Sequence, residues 1–115
     1  MDALKNLEVW QKSCRLSVNT YTLLGDCRNH GFADQLGRAA LFIASNIAEG
    51  YEREGSKDRA RFLKVAKGSC AEAWTQFLIG VEAGILPTKP TLDYADEAVR
   101  IRQMLFALIR HIESK

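Results

Sequence analysis

Residue types that could bind a metal or act as a nucleophile are few and widely separated in this sequence. Cys27 and His30 have no further ligand nearby, and His111 stands alone, so the spacing predicts no metal site. Cys70 would need an oriented base to act as a nucleophile, and with two histidines in the chain a buried structural thiol is the commoner outcome.

Two glutamates lie beside apolar stretches and are the remaining candidates for catalysis. Glu49 and Glu72 could form an acid pair with raised pKa values. Ion pairing with a basic residue such as Arg38 or Lys64 is the more common arrangement for such carboxylates. We therefore predict no catalytic residue, no cofactor and no enzyme.

Basic residues give the clearest functional pattern. Lys57, Arg61 and Lys64 fall within about 60° of one another on a helix, Lys67 lies beside them, and Arg53 precedes them in a loop. Six basic and four acidic residues lie between positions 49 and 67. We predict a weak phosphate-binding surface on each subunit, and the alternative is an ordinary solvated helix face.

Composition limits the class of protein without identifying its function. The 115 residues are 47% hydrophobic and carry 16 basic and 14 acidic side chains. This balance predicts one globular domain spanning residues 1–115, and a net charge of +2 does not demand a nucleic-acid partner. Cys14, Cys27 and Cys70 form no close pair, which is typical of reduced thiols in the cytoplasm. We expect no signal peptide and no membrane partner.

Helical spacing dominates the chain, and no segment has the alternation of a half-buried strand. Glycine and proline separate four predicted helices, at about 6–24, 34–50, 56–84 and from 91 onward. Asp34 and Ser56 are the predicted N-caps of the second and third helices. The short connections favour an all-α, antiparallel up-down-up-down four-helix bundle.

The first helix has apolar residues on two faces. We place the face with Trp10 and Tyr21 against the bundle core. Val9, Leu16 and Leu23 then form a second stripe about 130° away, which we predict to contact another subunit.

The second helix is also apolar nearly all round. Its predicted core face consists of Leu36, Ala40, Ile43 and Ile47. Leu41 and Phe42 then point elsewhere, toward a neighbouring subunit. The fourth helix has a comparable extra set in Leu92, Val99 and Phe106. The alternative explanation is that these helices have wide faces toward the core, or that single apolar residues are simply exposed, as on other soluble proteins.

Three motifs carry a family resemblance: Gln35-Leu-Gly-Arg38-Ala-Ala, Ser45-Asn-Ile-Ala-Glu49-Gly50 and Ala66-Lys-Gly-Ser69, with Leu7-Glu-Val-Trp10-Gln-Lys12 upstream. With them the chain resembles the four-helix-bundle family of 23S rRNA intervening-sequence proteins over about residues 7–86. The resemblance implies an antiparallel bundle that assembles as a homopentamer in the bacterial cytoplasm and has no known catalytic activity. It also implies a link to nucleic acid, since related accessory proteins of diversity-generating retroelements bind it and associate with a reverse transcriptase.

Residues of these motifs are expected to share a structural or interface role, namely Arg38, Asn46, Glu49 and Ser69. We interpret Asn46 as a structural hydrogen-bonding group. The chain departs from the family pattern at Phe42, where a small polar residue is frequent, and at Trp74, where an acidic residue is common.

Together these patterns predict a non-enzymatic homo-oligomer that binds RNA or DNA backbone through basic surfaces repeated by symmetry. The alternative is an oligomeric scaffold that recruits a protein partner without nucleic acid.

Overall fold

The computed structural model describes all 115 residues, of which 84% are helical, and it contains no strand. The five helices are α1 (Asp2–Lys5), α2 (Glu8–Leu24), α3 (His30–Glu52), α4 (Ser56–Glu82) and α5 (Thr88–Glu113). The all-α prediction is confirmed. The short α1 is an addition that the sequence pattern did not predict.

The start of α3 differs from the prediction because another residue caps it. The side chain of Asn29 accepts a hydrogen bond from the backbone N–H of Phe32 at 3.1 Å, so the helix begins at His30 and Asp34 lies inside it. Gly50 does not end α3 either. A Cβ there would lie 3.2 Å from the carbonyl oxygen of Arg59, so the glycine allows α4 to approach closely.

The ends of α4 and α5 follow backbone chemistry. Gly55, rather than Ser56, occupies the cap position of α4. At the other end Gly84 has a φ of +72°, which favours glycine, and the chain reverses there toward α5. Lys89 has an extended conformation, so the regular part of α5 begins after it, close to the predicted Thr91.

Helix α4 lies between α3 and α5, and α2 contacts both of those helices as well. The ring of Phe32 at the start of α3 lies beside Gly80 near the end of α4, so these two helices run in opposite directions. Phe77 of α4 packs against Tyr94 at the start of α5, with 6.4 Å between ring centroids. All four long helices contribute to one cluster of 19 buried apolar residues.

The core face predicted for α3 is confirmed, since Leu36, Ala40, Ile43 and Ile47 are fully buried. Their spacing of three and four residues places them on one side of the helix, which then packs against α2 and α4. Leu41 and Phe42 remain exposed, in agreement with their predicted outward position.

The prediction for the second apolar stripe of α2 is wrong, because this stripe faces the core of its own chain. Val9 and Leu16 are 3% and 1% exposed, so they belong to the core of their own subunit and cannot form the predicted subunit contact. Leu23 is half-buried against the same core. The face predicted as core is buried in part: Trp10 packs half-buried against the core and Leu24 is buried, whereas Tyr21 is exposed.

Polar residues on the true core face of α2 explain the error. Ser13 and Thr20 are fully buried between the apolar residues. Their hydroxyl groups donate to the carbonyl oxygens of Val9 and Leu16, each at 2.7 Å. Because these bonds satisfy the hydroxyls within the helix, burying them costs little, and the face can pack against the core.

None of the helices combines the length and the apolar character that crossing a membrane requires.

Replacing Leu16 by Ala is expected to lower the free energy of unfolding by about 2 to 5 kcal/mol, because it leaves a cavity in the subunit core. Leu41→Ala, at an exposed position of α3, is the matched control and should cost less than about 1 kcal/mol. Urea titration followed by circular dichroism measures both values. Equal losses for the two variants would contradict the assignment of Leu16 to the core.

Candidate nucleic-acid interface

The predicted basic residues begin in the connection between α3 and α4 and continue along the outer side of α4. Lys57, Arg61 and Lys64 are separated by four and three residues, so they share one face of the helix, and all three are exposed. They line an open groove together with Asp58 and Glu113. We call these three cations the basic stripe.

Carboxylates neutralise part of this surface. Asp58 in the first turn of α4 pairs with Arg61 at 2.9 Å and lies 3.7 Å from Arg53. Glu49, near the end of α3, pairs with Arg53 at 3.1 Å. Arg53 is therefore held by two carboxylates at the margin of the groove.

A contact between distant parts of the chain completes the groove. The ammonium of Lys64 lies 2.7 Å from a carboxylate oxygen of Glu113, which brings the end of α5 alongside the stripe. Lys57 forms no ion pair and is the least neutralised cation of the three. Sequence reasoning missed Glu113 because 49 residues separate it from Lys64.

Aromatic rings fix the guanidinium groups of the α3–α4 connection. Phe62 has two guanidinium groups against its ring, with the guanidinium carbons of Arg53 and Arg61 at 4.7 and 4.4 Å from the ring centroid. Arg59, absent from the predicted site, donates to the carbonyl oxygens of Gly50 and Arg53, each at 3.3 Å.

Arg59 also lies against Tyr51, with its guanidinium carbon 4.5 Å from the ring centroid. Burial raises the pKa of the Tyr51 hydroxyl, and the charge of Arg59 opposes that shift. Arg59 thus stabilises the connection that places the stripe.

Lys67 does not join the groove. Its ammonium lies 5.4 Å from the ring centroid of Phe106 on α5, so the side chain covers the junction between the two helices. The structure therefore brings three of the five predicted cations together, holds Arg53 at the margin and separates Lys67 from the others.

The motif residues occupy different places along α3 and α4. Arg38 and Ser69 line one open pocket between these helices, with Phe42 and Glu72 beside them. Asn46 donates from its side-chain amide to the carbonyl oxygen of Phe42 at 2.8 Å, one turn earlier in the same helix.

Glu49, the remaining motif residue, lies at the other end of α3 from the Arg38 pocket and forms its ion pair with Arg53. Neither it nor Glu72 forms the acid pair considered from the sequence: Glu72 lines the pocket of Arg38 and Ser69 instead.

No group of three or more His, Cys, Asp or Glu side chains is arranged to hold a metal ion. Cys70 is buried, and burial raises the pKa of its thiol to about 12, partly opposed by the charge of Arg102. A protonated thiol at neutral pH is a poor nucleophile.

The chain matches a protein-family model and resembles solved structures in fold. The model of the family described as 23S rRNA-intervening sequence protein matches residues 5–107. A crystal structure from Bacteroides thetaiotaomicron VPI-5482, described as a protein with unknown function from the S23 ribosomal protein family, superposes with a TM-score of 0.82. It is 18% identical in sequence, and the match covers 88% of this chain and 97% of that one. No curated protein has a significantly similar sequence.

The raised pKa of Cys70 predicts a pH-dependent contribution to stability. In the unfolded chain the thiol ionises above its ordinary pKa of 9.0, whereas in the folded chain it stays protonated until about 12. The stability that the buried thiol contributes is therefore complete below pH 9 and is lost as the pH rises toward 12.

Urea titrations of the wild type and of Cys70→Ala at pH 8 and pH 10.5 test this expectation. The wild type should lose more unfolding free energy than the variant over this interval, because other titrating groups are common to both proteins. A difference between the two proteins that stays constant with pH would contradict it.

Proposed function

The chain belongs to the 23S rRNA-intervening sequence protein family, and on that premise we propose that it is a non-enzymatic homo-oligomer that binds RNA or DNA backbone. The sequence resemblance implies an assembly of five copies. Neither the family nor the structural relative is a known enzyme. The cytoplasm is the proposed location, since all three cysteines are free thiols.

For the subunit we propose a single-domain, antiparallel up-down-up-down four-helix bundle. The opposite directions of α3 and α4, the Phe77–Tyr94 contact between α4 and α5, and the single buried cluster support this arrangement. A bundle of this kind places the outer face of α4 in solvent over its full length, where a linear polyanion has access to it.

The observation that carries the nucleic-acid proposal is the groove in which Lys57, Arg61 and Lys64 lie side by side. Phosphates repeat along a strand, so a row of cations on one helix face matches their arrangement better than scattered charges do. Arg53 at the margin extends this row by one guanidinium.

The carboxylates around the stripe reduce the affinity of each subunit without removing it. Exposed ion pairs such as Arg61–Asp58 contribute about 0 to 1 kcal/mol, so a phosphate can replace the carboxylate at little cost. Several copies of the stripe on one assembly then act together. Once a nucleic acid is bound at one stripe, its effective concentration at the neighbouring stripes is raised.

A second candidate function is a scaffold that recruits a protein partner without nucleic acid. Exposed apolar side chains at the junction of α4 and α5, including Trp74 and Phe106, favour it. Neutralising the stripe separates the two candidates, because the scaffold needs none of its cations.

Fluorescence anisotropy with a labelled single-stranded RNA of about 30 nucleotides tests the nucleic-acid proposal. Affinity should fall steeply as salt rises, with a slope in log units of about −0.7 for each phosphate contacted. Neutralising the stripe with Lys57→Gln, Arg61→Gln and Lys64→Gln should weaken binding at least about tenfold and reduce the salt slope by about two.

The matched control is the triple variant Lys5→Gln, Arg15→Gln and Arg28→Gln, which removes three exposed cations outside the groove. It should bind nearly as well as the wild type. Binding that is absent at low salt, insensitive to salt, or reduced equally by both triple variants would overturn the proposal.

A further inference from the structure

An apolar strip follows the junction of α4 and α5. Trp74 of α4 and Val99 and Phe106 of α5 are 41%, 37% and 46% exposed, although each is large and apolar. Between Trp74 and Val99 lies an apolar cavity of about 260 Å³. We call this strip, from Trp74 to Phe106, the α4/α5 seam.

The spacing of the exposed residues suits a helix as the occupant. Leu92, Val99 and Phe106 are seven residues apart, so they lie in line on α5 and span roughly 21 Å at 1.5 Å per residue. A seven-residue repeat of apolar side chains is the pattern with which two helices pack at a shallow angle.

Cations border the seam and lack carboxylate partners. Lys67, Arg102 and Arg110 form no ion pair, in contrast to Arg53, Arg61 and Lys64 around the groove. Lys67 and Arg110 lie 5.4 and 5.9 Å from the ring centroid of Phe106, so this ring already has cations against it and is not free to stack on a base. Asp96, between Leu92 and Val99 on the same face of α5, is an exposed carboxylate without an ion pair, and the three cations outnumber it. The complementary surface is therefore an apolar helix face with a net negative charge.

The outer side of α3 in this same chain has that composition. Asp34, Leu41, Ser45 and Glu52 fall within about 40° of one another around the helix, and all are exposed. Leu41 thus lies between two carboxylates that form no ion pair.

Phe42 adds a second exposed apolar side chain to this side of α3. Its ring lies 5.4 Å from the guanidinium carbon of Arg38. The unpaired carboxylates of Asp34 and Glu52 outnumber that cation on this side of α3, where Glu49 is already paired with Arg53.

We propose that the outer face of α3 in one copy docks into the α4/α5 seam of a second copy. The inference rests on the self-association in the proposed function, but it uses no residue of the basic stripe. The two faces lie on opposite sides of α4, so one copy can offer both at once. Such a head-to-tail contact adds copies in one direction until a ring closes.

Two variants, each lacking one of the two faces, test the contact. Trp74→Gln with Phe106→Gln removes the seam and keeps the α3 face, whereas Leu41→Gln with Phe42→Gln removes the α3 face and keeps the seam. All four positions are exposed, and circular dichroism confirms that each variant is folded. If a double variant is not helical, the single variants Val99→Gln and Leu41→Gln replace it.

Sedimentation velocity should find each variant alone at the one-subunit mass of 12.9 kDa. An equal mixture should form dimers and nothing larger, because the first variant still has its α3 face and the second still has its seam. Variants that assemble alone as the wild type does, or a mixture that stays at the one-subunit mass, would overturn the proposal.

The same samples distinguish this inference from the nucleic-acid proposal. Both variants keep Lys57, Arg61 and Lys64, so the mixing result does not depend on RNA. Dimers in the mixture without RNA binding by the wild type would refute only the nucleic-acid binding in the proposed function. RNA binding without dimers would refute only the head-to-tail contact.

Discussion

The inner face of α4 carries small residues over most of its length, and this lets α3 and α5 pack closely on either side of it. Ala66, Cys70, Ala73 and Gly80 are all buried there. An added Cβ at Gly80 would lie 2.9 Å from the ring of Phe32 at the start of α3 and 2.7 Å from a methyl carbon of Leu86 in the connection to α5. Phe42, Trp74 and Phe106 lie outside these contacts and remain partly exposed at the surface.

The same arrangement determines where charge can lie. Because the core needs only the inner side of α4, its outer side is free for Lys57, Arg61 and Lys64. The end of α5 reaches this side and contributes Glu113, and the α3–α4 connection contributes Arg53. The charged groove and the apolar seam are thus two consequences of one packing arrangement, with different chemistry and different residues.

Sequence periodicity predicted the helical class, the core face of α3 and the shared face of the basic stripe, because each depends on spacing within one helix. It failed for α2, where Ser13 and Thr20 satisfy their hydroxyls on their own backbone and so can be buried beside Leu16. It also missed contacts between distant residues, such as Lys64–Glu113 and Lys67–Phe106. Such contacts depend on how helices are placed together, which local spacing does not specify.

The central claim is that apolar surface left outside each subunit core is covered by other copies of the same chain. Each contact removes the exposed parts of large apolar side chains from water, which favours association. A closed assembly gives every copy two such contacts and is therefore more stable than an open chain. Sedimentation equilibrium of the wild type from about 1 to 100 micromolar tests the claim directly. The account predicts a mass several times 12.9 kDa at the upper end of this range, and 12.9 kDa throughout would contradict it.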